Sequence, residues 1–230
     1  MKPKTPRPKT PRRSRQGQES RQRIIDATFE IAHEQGYQGT SIAKVSARSG
    51  LPASSVYWHF ADKDALFAEV IQYSFDQWEA AMPRWTPPTE GERRADALSV
   101  QIRSAIESIA TSPEFWRLGL MLSLERQPVE PQARARFLEI RQRVQAAMAR
   151  WWAAVLPEGH EERSPGLPEL LARFTMAASD GIFISLQVDD EGADRARADP
   201  AEAVATRRQL ADLLADSLEA AALRLGGAGP

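Results

Sequence analysis

From residue 19 to the carboxy terminus, apolar residues recur at intervals of three and four, and no segment alternates with period two. That spacing lines one face of a helix and cannot line one face of a strand, so the fold is expected to be all-α. Ile24, Ile25, Thr28 and Ile31 set the pattern of a first helix, which Gly36 stops. A second, short helix starts at Thr40-Ser41 and carries Ile42, Ala43, Val45 and Ala47 before Gly50. Asp62 can cap another through Leu66, Phe67, Val70, Ile71 and Phe75. Further starts are Thr89 with Glu92 in capping-box spacing, Ser112-Pro113, and Asp199-Pro200 with Glu202; each places a cap or a first-turn proline where a helix begins. Together they predict helices near 90–110, 113–126, 130–156, 167–188 and 200–225, about nine in all.

Charge divides the chain. Residues 1–63 hold 12 Lys+Arg against 5 Asp+Glu, a net of +7, and the remainder nets −8 with no lysine after Lys63. A basic front and an acidic back suggest that only the front meets a polyanion. Residues 1–18, "MKPKTPRPKTPRRSRQGQ", carry seven basic residues and no acid. Nothing in them can bury a core, so they are expected to form a disordered basic arm. With no cysteine, disulfides, thiolate metal sites and thiol nucleophiles are excluded. No apolar run approaches the roughly 18 residues of a membrane span, and no signal-peptide core is present. A soluble, cytoplasmic protein with no membrane partner is expected, and 230 residues suffice to bury a substantial core.

The stretch that constrains function is "ASSVYWH", 53–59. A helix over 42–49, a turn at Gly50-Leu51-Pro52 and a helix over 53–59 have helix-turn-helix spacing. Val56 and Phe60 lie four apart and can turn inward, leaving Ser54 and Trp58 outward with Ser55 and Tyr57 on the flanks. Aromatic residues on a helix are usually core, but here the inward face is already filled. The exposed face is polar and aromatic, as a helix in a major groove requires. Tyr57 and His59 can donate to phosphate oxygens, and Lys63 adds charge where a helix begins.

At this point the chain resembles the TetR family of bacterial transcription regulators. The likeness lies in "RQRIIDATFEIAHEQGYQGTSIAKVSARSGLPASSVYWHFADKDALF", 21–67, about a fifth of the chain. Gly-Tyr after the first helix, Thr-Ser before the second and "VYWHFADKDAL" stand in the family's order. The resemblance implies a homodimeric repressor or activator that binds a palindromic double-stranded DNA operator and is released by a small-molecule effector. It further implies that Tyr57, His59 and Lys63 contact phosphates, that Thr40 and Ser41 touch the DNA backbone, and that Arg48, Ala53, Ser54 and Ser55 face bases beside Trp58. Because Ala53 and the two serines are small, specificity is expected to lean on Arg48, methyl contacts or DNA shape. The arm's Pro-Arg and Lys-Thr-Pro repeats suit a minor-groove extension or added non-specific affinity.

The division implied is a basic arm over 1–18, a DNA-binding domain over 19–66 and a ligand-binding and dimerisation domain over 67–230. The latter shows no Gly-rich phosphate loop, metalloprotease motif or nucleophile elbow, so an enzyme is not expected and no cofactor is called for. Phe115, Trp116, Leu120, Met121, Met148, Trp151, Trp152 and Phe174 form rich apolar stripes. Such stripes are ordinarily core, yet the family keeps a cavity among these helices, and methionine beside tryptophan suits a bulky apolar ligand. Such a ligand is expected to act through the helix over 62–82 that joins head to body. "DDEGADRARAD", 189–199, is expected to be a solvated loop, since its carboxylates lack calcium-loop spacing. Ala177, Ala178, Gly181 and Ser185 permit close helix approach, and Leu210, Leu214 and Leu218 supply an apolar face. The family implies that these last two helices form a two-fold interface. A DNA-binding architectural protein without a ligand is the alternative.

Overall fold

The computed structural model describes residues 11–82, 84–111, 113–124, 131–191 and 200–227. Among them are ten helices and no strand: α1 Pro11–Gly39, α2 Ile42–Ser49, α3 Ala53–His59, α4 Lys63–Ala81, α5 Arg94–Thr111, α6 Glu114–Leu124, α7 Gln132–Val155, α8 His160–Arg163, α9 Leu167–Glu191 and α10 Pro200–Gly226. The short α8 was beyond reach of a periodicity argument, having a single turn. Two expected caps are in place. The Ser41 hydroxyl accepts the Lys44 N–H at 3.3 Å, and the Asp62 carboxylate accepts the Ala65 N–H at 2.8 Å. Gly36 interrupts α1 with φ 69°, where a residue with a side chain would be strained. Thr89 and Glu92 do pair, the Thr89 N–H donating at 3.1 Å, but they close the turn ahead of α5 instead of its first turn.

One expectation is corrected at the start. Residues 11–18, read as part of a disordered arm, belong to α1. Pro11 suits a first helical position, and the arginines and glutamines after it are good helix formers despite lacking an apolar face. Residues 1–10 of that arm, and 192–199 of the acidic run, lie outside the described residues, as do Ser112 and Asp199.

Two compact units divide the chain. The first runs to Phe75 and takes in residues 118–137. Its core is Ile24, Ile31, Val45, Val56, Leu66, Phe67, Val70 and Ile71, all essentially without solvent contact. A boundary expected at residue 66 therefore falls inside α4, because the apolar face from Leu66 to Phe75 is buried in this unit. Asp64 in the first turn of α4 accepts the Gln132 N–H at 2.6 Å and the Ala133 N–H at 3.3 Å, so it caps α7. The Met121 methyl lies 3.3 Å from the position a Cβ on Gly36 would take.

The second unit comprises residues 76–117 and 138–230. Here α10 lies antiparallel along α5, tied by a ladder of pairs: Arg94 to Glu219 at 2.7 Å, Arg103 to Asp212, and Arg207 to Glu107 at 3.2 Å. Leu98, Ile102 and Ile106 of α5 are buried, as are Ala211, Leu214, Ala215, Leu218 and Ala222 of α10. Arg141 of α7 grips Asp180 of α9 through both guanidinium nitrogens, at 2.8 and 2.6 Å.

Packing inside the first unit is tight where α6 crosses α7, since a Cβ on Gly119 would fall on the Phe137 ring. Gly119→Ala should lower stability by about 1–3 kcal/mol through overpacking, outweighing the roughly 1 kcal/mol that alanine adds to a helix interior. Thermal denaturation of the variant checks this, and an unchanged or raised Tm would contradict it.

Candidate nucleic-acid interface

Helix α2, the turn after it and α3 form one packed piece. Val45 and Val56 are fully buried and Phe60 nearly so. Gly50 ends α2 in the left-handed region at φ 66°, the conformation a helix C-cap favours. Two side chains fix the turn: the Arg23 guanidinium donates to the Ser49 carbonyl at 2.5 Å, and the Ser46 hydroxyl to the Leu51 carbonyl at 2.7 Å. Helix α3 begins at Ala53 with Pro52 as its cap, the Ser55 N–H donating to the Pro52 carbonyl at 2.8 Å.

With Val56 and Phe60 inward, α3 presents the surface expected of it. Ala53 and Ser54 are exposed, Ser55 half-buried, and Tyr57 and Trp58 are 57% and 70% exposed. Two aromatic rings this open beside two hydroxyls are unusual for a soluble surface. The His59 ring stands edge-on to Trp58, with centroids 4.5 Å apart. Burial, and then the nearby Arg21 charge, push His59 below its ordinary value, so it is neutral at pH 7. Lys63, in the first turn of α4, holds its ammonium 4.0 Å from the Tyr37 ring centroid. Ser41 is exposed at the start of α2.

Two expected contacts sit elsewhere. Thr40 is buried, and its hydroxyl donates to the Gly36 carbonyl at 2.8 Å, so it closes the end of α1 and is not presented to a DNA backbone. Arg48, expected to face bases, turns instead onto α1, where Glu34 takes both its terminal nitrogens at 3.0 Å and Glu30 one at 3.1 Å. This pairing raises the Arg48 pKa and lowers that of Glu34. Glu30 and Glu34 stand four apart on α1, a spacing that could have signalled an arginine clamp.

Beside α3 lies a feature that no spacing rule announced. A cleft of about 400 Å³ opens between α1 and α3. Gln16, Gly17 and Ser20 line one side, and Ser54, Ser55, Trp58 and His59 the other. The available signal was Gly17 itself, a helix-weakening residue in the middle of a good helical sequence.

The residues expected to line a ligand site are distributed over both compact units. Phe115 and Trp116 pack with Trp78, its ring centroid 6.2 and 5.9 Å from theirs. The Trp151 ring stands edge-on to both Trp85 and Trp152, and Met148 is buried. Half-buried Leu120 and the 49%-exposed Met121 belong to the first compact unit. Phe174, 46% exposed, is on the open side of α9. The indole N–H groups of Trp116 and Trp152 are buried without a hydrogen-bond partner.

The expected dimer face divides similarly. Ala177, Gly181 and Ser185 are exposed on α9 and Ala178 is half-buried, but Leu214 and Leu218 are buried within this chain and Leu210 is half-buried. Facing α5, those leucines are core residues. Leu213 and Leu223 are the exposed leucines of α10.

Comparison with known proteins settles the family. The signature of "Bacterial regulatory proteins, tetR family" matches residues 24–70. The chain is 36% identical over 59 residues to the HTH-type transcriptional regulator AcrR of Shigella flexneri, covering 26% of this chain and 27% of AcrR. It is 30% identical over 93 residues to the uncharacterized HTH-type transcriptional regulator TtgW of Pseudomonas putida, covering 40% of this chain and 67% of TtgW. The chain belongs to the TetR family. Its alignment spans about a quarter of the length of AcrR and two-thirds of that of TtgW. The fold agrees: AibR, solved with isovaleryl coenzyme A and operator DNA, superposes with a TM-score of 0.58 at 14% identity, over 86% of this chain and 97% of that one. These named relatives are transcriptional regulators, not enzymes.

For a TetR-family head, the two aromatic and basic contacts should separate by salt. Lys63→Ala should weaken binding to a DNA duplex and flatten the dependence of log affinity on log salt by about 0.9, the value of one phosphate contact. Tyr57→Ala should weaken binding and leave that slope unchanged, because a phenol carries no charge; fluorescence anisotropy across a salt series distinguishes the two.

His59 supplies a pH signature. Its pKa is low in the free protein, and a phosphate beside it favours the charged imidazolium, so binding takes up a proton. DNA affinity should therefore rise as pH falls through about 6.5 and below, and His59→Gln should flatten that rise. An equal pH dependence in the variant would remove His59 from the interface.

Proposed function

We propose that this TetR-family chain is a homodimeric repressor that binds a palindromic operator through α3 and leaves it when a small, largely apolar ligand enters its second compact unit. The observation that carries the reading is α3 itself: a helix held by Val56 and Phe60 that exposes Ser54, Tyr57 and Trp58 together. A packed recognition helix with an open polar and aromatic face is what major-groove docking needs.

Support for dimerisation comes from α9. Leu170, Phe174, Ala177, Gly181, Ile184 and Val188 recur at alternating steps of four and three, and all are exposed. Such a stripe is a helix-packing face without its partner. A palindromic operator, with half-sites about 34–36 Å apart, calls for such a two-fold pair of recognition helices.

Support for a ligand comes from Trp78, Phe115 and Trp116, with the Trp116 indole N–H left for an acceptor and the Arg141 guanidinium 5.5 Å from the Trp116 ring centroid. Helix α6 carries Trp116 near its start and Met121, which abuts Gly36, farther on. A ligand that shifts α6 or α4 would disturb the head through these helices. By linkage, operator DNA would weaken ligand binding by the factor that ligand weakens operator binding.

Iterative selection from a random duplex library tests the operator: the enriched sites should be two-fold symmetric, and an asymmetric or absent consensus would contradict the reading. Sedimentation tests the dimer. Wild type should run as a dimer, and Ile184→Glu as a folded monomer that has lost tight binding to the selected palindrome. Leu214→Glu should instead lower Tm, because Leu214 is buried within the chain. A wild-type monomer, or an Ile184→Glu monomer that still binds the palindrome tightly, would refute the assembly.

A further inference from the structure

Gly17 occupies the middle of a straight helical run where alanine would serve the helix better. A Cβ there would meet the Trp58 ring at 3.9 Å, an ordinary contact, so the helix does not need glycine to avoid a clash. What lies beyond that point is the cleft between α1 and α3. Any side chain longer than alanine would project into it.

Hydrogen-bonding groups surround this space. Gln16 and Ser20 stand on the α1 wall, and Ser54, Ser55 and His59 on the α3 wall, with the exposed Trp58 ring between. Residues 11–23 hold five arginines against one glutamate, so the cleft lies in a stretch of chain with net positive charge. An acceptor-rich, anionic strand matches a cleft lined by hydroxyls, an amide and an imidazole. A DNA backbone has that chemistry.

We infer that the amino-terminal turns of α1 are a second DNA-contacting wall, with Gln16 and Ser20 as backbone contacts and Gly17 as the gap that admits a sugar-phosphate strand against Trp58. This rests on the reading of α3 as the DNA-docking helix. Residues 16–20 thus contact DNA as an extension of a helix ordered with the recognition unit. Backbone contacts carry no base sequence, so this wall adds affinity for any duplex and fixes the angle at which α3 enters the groove.

The test uses the full chain and a labelled mixed-sequence duplex of about 30 base pairs at about 50 mM salt, where non-specific binding is measurable. Gly17→Ala should bind within about twofold of wild type, and Gly17→Leu at least about tenfold more weakly, the difference between an ordinary contact and a filled cleft. Both should melt no lower than wild type, since each improves the helix. Gln16→Ala with Ser20→Ala should weaken binding to this duplex and to a selected palindrome by the same factor, as backbone contacts do. Tyr57→Ala serves as the reference for the α3 reading. If Tyr57→Ala weakens binding and Gly17→Leu does not, the α1 wall is refuted and α3 docking stands. If neither does, both are refuted. Equal losses in Gly17→Ala and Gly17→Leu would also overturn the inference, because the effect would then belong to the helix and not to the space beside Trp58.

Discussion

A helix of seven residues has no stability of its own in water, so α3 exists only because Val56 and Phe60 are buried beneath it. Removing a valine side chain from solvent is worth about 1.5–3 kcal/mol, which offsets part of the roughly 1–2 kcal/mol per residue that ordering the backbone costs. The same burial sets the rotation of α3 about its axis. With Val56 fixed inward, Tyr57 and Trp58 have no route into the core and must be displayed. Hydrogen bonds from Arg23 to Ser49 and from Ser46 to Leu51 then hold the turn, so the angle between α2 and α3 is determined as well. The DNA-facing surface is in this sense a consequence of what the inward face buries.

The charge asymmetry of the chain overstates the bare positive charge near α3. Arg48 is occupied by Glu30 and Glu34, Arg15 by Glu19, and Arg21 by Glu69. These pairs are open to solvent, and exposed pairs contribute little. A phosphate therefore competes with the carboxylates at small cost, more easily than at a partly shielded bidentate pair such as Arg141 with Asp180. Arg48 keeps the capacity to reach DNA only by releasing two acids at once. If α3 docks as proposed, recognition is left to small side chains and to backbone geometry, which suits reading by DNA shape.

Much of this was legible in the sequence because it rests on local rules. The inward pair Val56 and Phe60, the caps Ser41 and Asp62, and the stop at Gly36 each follow from spacing within a few residues. What escaped depended on partners far along the chain. Thr40 looks like a surface threonine until the end of α1 folds over it. The partners of Arg48 lie 14 and 18 residues earlier, where the four-residue spacing of Glu30 and Glu34 is the only local hint of them. The helical state of residues 11–18 was hidden by their lack of an apolar face, since α1 continues there on propensity and not on burial. Phe174 and the leucines of α10 were misplaced for one shared reason: periodicity identifies an apolar face but not which neighbour covers it.

That last ambiguity is answered in α10 by burial, and charge marks the result. Arg94 with Glu219, Arg103 with Asp212 and Arg207 with Glu107 run along the length of α5 and α10, and the first pair is largely shielded from solvent. The two more exposed pairs add little, so the register all three mark is held mainly by Ala211, Leu214, Leu218 and Ala222, which are buried within this chain. The stripe left uncovered in this unit is on α9, where Gly181 has nothing within 4 Å of its missing side chain. Small residues lie at its centre, Ala177 and Gly181, with Leu170 and Phe174 before them and Ile184 and Val188 after. A helix shaped in this way is narrow in the middle and bulky at both ends, so it meets its own copy best when the two cross at the small residues. In the proposed dimer each bulky end would then pack beside the opposite helix, and a contact of that kind is self-complementary only under a two-fold axis.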